Sequence, residues 1–264
     1  MSIPTYTDEQ DRLERSLNSF ATESFRDQAD RDYILARLAC RHELFPQFLW
    51  SSLQAIEKYL KAILLYNRIN ATGVGHDLSE AMLLAKKLPF NIELSDRSQK
   101  FISYLSACGE YRYIDVPFYV DGHILIDLDL AVWELRRYCQ VLDVFGKALP
   151  PQEQDLLEKA KADLKRSSAE PRYKFRLQGG FLEKVMESPK HPSRPALLWQ
   201  NASYGPRTRK TVRVKYHLYA QNPLLYLYPE MLDELLKYVF IPKKLAAAYR
   251  KHLAGIQADP TTRP

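Results

Sequence analysis

Cysteine is scarce in this chain: Cys40, Cys108 and Cys139 are the only three, and no two form a C-x-x-C pair. An odd, widely spaced set argues against a disulfide framework or a zinc site and suits a reducing cytoplasm. No apolar run approaches the ~20 residues needed to cross a bilayer, so no membrane partner is expected. The N-terminus, Met1-Ser2-Ile3-Pro4-Thr5 running into an acidic stretch, lacks the basic and apolar regions of a signal peptide. Gly73 and Gly75 share a loop, but without the lysine that a phosphate-cradling P-loop requires. There is no H-E-x-x-H, no Ser-His-Asp order with supporting context, no internal repeat and no low-complexity segment. Neither a metal nor another cofactor is expected.

What is present is an ordinary soluble composition, 46% apolar and 27% charged over 264 residues, enough to bury a core without staples. The net charge of +6 is unevenly spread. Residues 1–165 hold 20 Lys+Arg against 25 Asp+Glu, whereas residues 166–264 hold 18 against 7. An acidic first part joined to a basic second part suggests two jobs, and a concentrated positive field favours polyanions.

Periodicity predicts helices over residues 27–43, from about Pro46 to Arg68, over 77–87, 95–109 and 127–147, with Pro150-Pro151 closing a bundle. In the first, Ala29, Ile34, Leu35, Leu38 and Ala39 fall near one face. In the second, Phe45, Leu49, Leu53, Ile56, Leu60, Ile63 and Leu64 form one apolar stripe, while Gln54, Lys58 and Lys61 share another face, with Glu57 one turn before Lys61. Asp77-Leu78-Ser79-Glu80 has the form of an N-cap with a reciprocal glutamate. Residues 111–126 read as an aromatic loop or short hairpin, whose Tyr111, Tyr113, Phe118 and Tyr119, with Trp133, suit a core. Residues 152–167 form a charged helix leading into the second part. There Ala196-Leu197-Leu198-Trp199 is an extended run, and Val212, Val214, Tyr216 and Leu218 alternate with Arg213, Lys215, His217 and Tyr219 as a half-buried strand does. Helices over 229–240 and 242–256, each opened by proline, complete the chain. The fold class is therefore mainly α: an antiparallel helical bundle over 1–150, then a basic α+β extension over 151–264 containing a short β-hairpin.

The ordered set Gln54-x-x-Glu57-Lys58-x-x-Lys61, a short loop and His76-Asp77-Leu78 resembles the HEPN (higher eukaryotes and prokaryotes nucleotide-binding) domain. The likeness extends upstream to Asp32-Tyr33-Ile34-Leu35-Ala36-Arg37 and downstream to Arg112-Tyr113-Ile114-Asp115, covering roughly residues 27–147. The resemblance implies an all-helical antiparallel bundle, usually a homodimer, in proteins that handle nucleotides or RNA. Members include metal-independent ribonucleases, some toxin-like, and non-catalytic relatives.

Catalytic members resemble one another in an arginine, four to six intervening residues and then a histidine, a pair that stabilises phosphate charge and shuttles a proton. Arg37 and His42 fit that spacing, but five residues along a helix turn the two side chains about 140° apart. They also lie on the first bundle helix, where the family motif lies near the last. Arg112 sits at the matching later place with its next histidine, His123, eleven residues on, and Arg136-Arg137-Tyr138 has no following histidine. The expectation is a non-catalytic protein that binds RNA or a nucleotide. The alternatives are a metal-independent ribonuclease using Arg37 and His42, and a protein-interaction module. Candidate binding residues are Lys58, Lys61, His76 and Arg112 in the bundle, and Arg207, Arg209, Lys210, Arg213 and Lys215 in the extension. The latter five are interleaved with Tyr204, Tyr216 and Tyr219, rings on which bases could stack. The same charges could equally guard an edge strand against aggregation.

Overall fold

The computed structural model describes residues 8–75, 77–109, 117–142, 151–172, 179–205, 210–214, 218–259 and 261. The chain divides into two compact units, residues 1–109 with 123–215, and residues 110–122 with 216–264. This division puts residues 151–215 with the helices before them, whereas Pro150-Pro151 suggests a boundary at 150. Two buried arginine clusters, described below, account for the difference.

In the first unit, α1 (Asp8–Phe20) runs through a π-helical turn (Ala21–Arg26) into α2 (Asp27–Arg41). α3 (Phe45–Tyr66) is the central helix, packed against α2, α4 (Leu78–Ala85), α5 (Asp96–Gly109) and α6 (Ile124–Arg136). α7 (Pro151–Ala169), α8 (Phe181–Glu187) and α9 (Arg194–Leu198) follow. All seven residues of the predicted α3 stripe are buried, and so are Phe48, Ala55, Tyr59, Ala62 and Tyr66. A helix apolar on so much of its circumference belongs inside a bundle rather than on its surface. Pro46 occupies its first turn, where a missing N–H costs nothing.

α2 departs from its predicted face. Ala29, Ile34 and Ala39 are buried, but Leu35 and Leu38 are exposed, and Tyr33, Ala36 and Arg37 take the inner positions. The turn after α2 is closed by Glu43, with φ of 61°, and by the Leu44 N–H donating to Ala39 O at 2.9 Å. Asp77 caps α4 as expected, its Oδ1 accepting from Ser79 N at 2.8 Å and Glu80 N at 3.3 Å. Such a cap is worth about 1 kcal/mol. The apolar run is helical over 196–198, with only its last residue, the C-cap Trp199, extended: Pro195 presets the first turn of α9, and four apolar residues carry no periodicity by which to tell helix from strand.

In the second unit, β1 (Phe118–Asp121) pairs antiparallel with β2 (Leu218–Gln221), Phe118 opposite Gln221 and Asp121 opposite Leu218. The expected hairpin within the extension is thus a ribbon between two distant stretches. Tyr119 is exposed rather than in a core, whereas Trp133, in the first unit, is buried. α10 (Leu224–Leu227), a 3₁₀ turn (Pro229–Met231), α11 (Leu232–Leu235) and α12 (Lys243–Ala258) complete this unit. The single helix predicted over 229–240 is therefore two short pieces. Leu225, Leu232, Ile241, Leu245, Ala246 and Tyr249 make their own small core.

Candidate functional site

Two helices of the first unit carry the same pattern. Asp30 and Arg37 are seven residues apart on α2, and Asp129 and Arg136 are seven apart on α6. Seven residues nearly complete two turns, so each pair lies on one face. The pairs cross: Arg136 Nε donates to Asp30 Oδ1 at 2.7 Å and its Nη2 to Oδ2 at 2.9 Å, while Arg37 is ion-paired with Asp129. All four are buried.

Each arginine also holds the segment after α7. Arg136 Nη1 and Nη2 donate to Glu183 Oε1 and Oε2 at 2.8 and 2.6 Å, so one guanidinium serves two carboxylates. Asp30 accepts further bonds from Tyr59 Oη at 2.7 Å and Leu182 N at 3.3 Å. Arg37 donates from Nε to Ala196 O at 3.1 Å and from Nη2 to Trp199 O. Tyr33 Oη donates to Asp129 Oδ1 at 2.6 Å and accepts from Asn201 Nδ2 at 2.9 Å. Burial pushes the carboxyls of Asp129 and Glu183 above their ordinary values, against the lowering by Arg37 and Arg136 respectively. Gly180 is bound to this arrangement. Its φ is 108°, and an added Cβ would stand 2.4 Å from Arg136 Nη2.

These contacts decide the catalytic alternative's geometry. Arg37 is 0% exposed with its guanidinium committed to the core, and His42 is the exposed C-cap of the same helix. The structure does not bring them together at a surface. Sequence reading missed the roles of Asp30, Asp129, Arg136 and Glu183.

The lysines of α3 are partnered. Lys58 is ion-paired with Asp32 of α2, and Lys61 Nζ lies 2.7 Å from Glu57 Oε1 and 3.4 Å from Gly75 O. Lys61 therefore reaches the loop that precedes Asp77, so the separated pieces of the Gln-Glu-Lys-Lys and His-Asp-Leu pattern meet in space. Gln54 Nε2, from the same pattern, is buried with no hydrogen-bond partner among the described residues. His76, Arg112, Arg207, Arg209 and Lys215 lie outside the described residues, as do Tyr111 and Tyr113.

Lys210 and Arg213 lie in residues 210–214, which have no regular structure. The predicted alternation survives there as burial, with Val212 and Val214 half-buried and Lys210 and Arg213 exposed, but no strand ladder forms in this stretch. Neither cation has a carboxylate within ion-pair distance among the described residues. Beside Lys210 opens a cleft of about 600 Å³, shared by the loop before α5, the ends of α6 and α7, and Arg172. Among the described residues no cluster of His, Cys, Asp and Glu is placed to hold a metal ion, and no helix is long and apolar enough to cross a membrane.

Neither a curated protein nor a solved structure matches the chain. A family model does match, from residue 22 in the π-helical turn to residue 118 at the start of β1. That span begins a little before the resemblance read from the motifs and ends before α6. It contains the buried Asp30 and Arg37, the paired lysines of α3 and the Asp77 cap. Residues 22–118 are a HEPN domain, which ties the chain in general terms to nucleotides or RNA.

Proposed function

We propose that the protein binds RNA or a nucleotide without cleaving it, with the HEPN bundle as scaffold and the basic residues beyond it as the main phosphate contacts. The observation that carries this reading is the difference in the state of its cations. Arg37, Lys58 and Lys61 are already occupied by carboxylates of the bundle, whereas Lys210 and Arg213 are exposed and unpaired among the described residues. Unpaired cations on a chain with a sequence pI near 9.0 are the ones that can release counterions when they meet a polyphosphate. Arg207, Arg209 and Lys215 extend the same stretch in sequence.

Binding of a fluorescent single-stranded RNA should therefore fall linearly on a log–log plot between 50 and 200 mM salt, with a slope near −0.7 per phosphate contact, about −3.5 for the five cations. A flat response removes the reading. The ribonuclease alternative is tested alongside it: without divalent metal, the wild type and His42→Ala should leave the RNA equally intact, and cleavage lost on substitution would reinstate catalysis.

The domain also suggests pairing as a homodimer. Leu35 and Leu38 on α2 and Leu44 at the α2–α3 turn are 51, 41 and 52% exposed, an apolar surface with the chemistry of a self-association face. Sedimentation should show a dimer for the wild type and a monomer for Leu35→Lys/Leu38→Lys. A wild-type monomer at tens of micromolar would end this part of the proposal.

A further inference from the structure

The cleft beside Lys210 holds three cations, Arg137, Arg172 and Lys210, and three carboxylates, Glu93, Glu134 and Glu170. Their formal charges cancel, but their engagement does not. Each carboxylate has a partner: Glu134 Oε2 accepts from Ser95 N at 2.9 Å and Ser95 Oγ at 3.2 Å, Glu93 Oε2 accepts from Ser168 Oγ at 3.0 Å, and Glu170 lies 3.9 Å from Arg166. None of the three cations has a carboxylate within ion-pair distance among the described residues.

Arg137 is the most telling of them. It is 4% exposed, yet every partner it has among the described residues is neutral: Ser167 Oγ at 3.3 Å, Ser168 Oγ at 2.7 Å and Glu93 O at 3.5 Å. Its Nε is buried with no acceptor among the described residues. A guanidinium is always charged and carries five donors, so burying one without an anion is costly. Arg172 is half-buried and makes no hydrogen bond or ion pair among the described residues. Burial lowers its guanidinium's proton affinity below the ordinary arginine value, the mark of a charge still short of a counterpart.

We infer that this cleft binds a small phosphomonoester, its phosphate taken by Arg172 and Lys210 against the buried Arg137, and its hydroxyls donating to the carboxylates of the same wall. Guanidinium groups match phosphate oxygens in a planar, two-pronged geometry, which a solvated lysine does not. A volume of about 600 Å³ lies within the range of small-molecule clefts. The cations involved follow residue 118, so the phosphate-binding side of this cleft lies outside the matched family span, though Glu93 on its wall lies inside it, and the inference goes beyond the reading given above. A sugar phosphate and a nucleoside monophosphate present the same chemistry and are separated by experiment.

Isothermal titration of the full chain with ribose 5-phosphate should give one saturable site. Ribose should not bind, and inorganic phosphate should compete but more weakly. Arg172→Ala should weaken the site at least about tenfold, and Arg172→Lys should restore part of it. Both variants should keep the wild-type circular dichroism and RNA affinity, because Arg172 holds no bond among the described residues. Adenosine 5′-monophosphate binding more tightly than ribose 5-phosphate identifies a nucleotide as the ligand; equal binding identifies the sugar phosphate. No saturation by either ester, equal affinity for ribose and its phosphate, or an unaltered Arg172→Ala site would overturn the inference. Loss of RNA affinity in Arg209→Glu/Arg213→Glu, which leaves Lys210 in place, with ester binding kept, separates the two sites.

Discussion

Arg209→Glu/Lys210→Glu/Arg213→Glu should abolish retention of RNA at physiological salt. The substitutions reverse three charges within five residues, turning an attractive field into a repulsive one. If the three side chains each neutralise one phosphate, their loss also lowers the salt slope by about 2 for a single strand. The natural control is Lys58→Ala/Lys61→Ala. Those lysines are held by Asp32 and Glu57, so their removal should change RNA affinity little while loosening the helix they support. A filter-binding assay on both variants measures the contrast. Retention unchanged in the triple variant, or lost in the lysine pair instead, moves the binding surface back into the bundle.

The second large effect belongs to stability. Arg136→Met should cost about 3–5 kcal/mol or more, because it strands two buried carboxylates, Asp30 and Glu183, on a single missing partner. Replacing all three together, Asp30→Asn/Arg136→Met/Glu183→Gln, should recover much of that loss, since neutral groups have no charge to solvate. The pH dependence fixes the sign. Burial already holds the Glu183 carboxyl above its ordinary value, and removing Arg136 takes away the main influence that lowers it. A carboxyl whose folded pKa exceeds its unfolded one favours folding below the unfolded value, and that advantage disappears as pH rises through the folded value. The Arg136→Met deficit, measured by urea denaturation, should therefore shrink at acid pH and be greatest at neutral pH. A deficit that does not vary with pH, or one below 1 kcal/mol, would show that these carboxylates are not stranded.

The bundle was legible because α3 announces itself: seven apolar residues at spacings of three and four, a proline in its first turn, and Asp77 placed to cap the next helix. The inner face of α2 was not, because hydropathy counts Leu35 and Leu38 as core and Arg37 as surface, and only the partners on α6 and α9 reverse that order. A signal was nonetheless present. An aspartate followed seven residues later by an arginine occurs in both Asp30–Arg37 and Asp129–Arg136, and charges spaced so as to share an apolar face must be buried in pairs or not at all. On antiparallel helices the two repeats match crosswise. The basic stretch after Tyr204 was legible in composition only: alternation gives sidedness, but a strand needs a partner, and here the ladder begins at Leu218. That partner, β1, lies nearly a hundred residues upstream, where no local pattern could point to it.

The ribbon between Phe118–Asp121 and Leu218–Gln221 has a consequence for synthesis at the ribosome. Its earlier half is made long before its mate exists, and must wait as a solitary segment while α6 to α9 are produced. Cutting the gene at codon 150 would therefore yield two fragments that each own one half of a two-stranded seam. Co-expression of the halves, rather than either alone, is the arrangement under which the small C-terminal body can assemble.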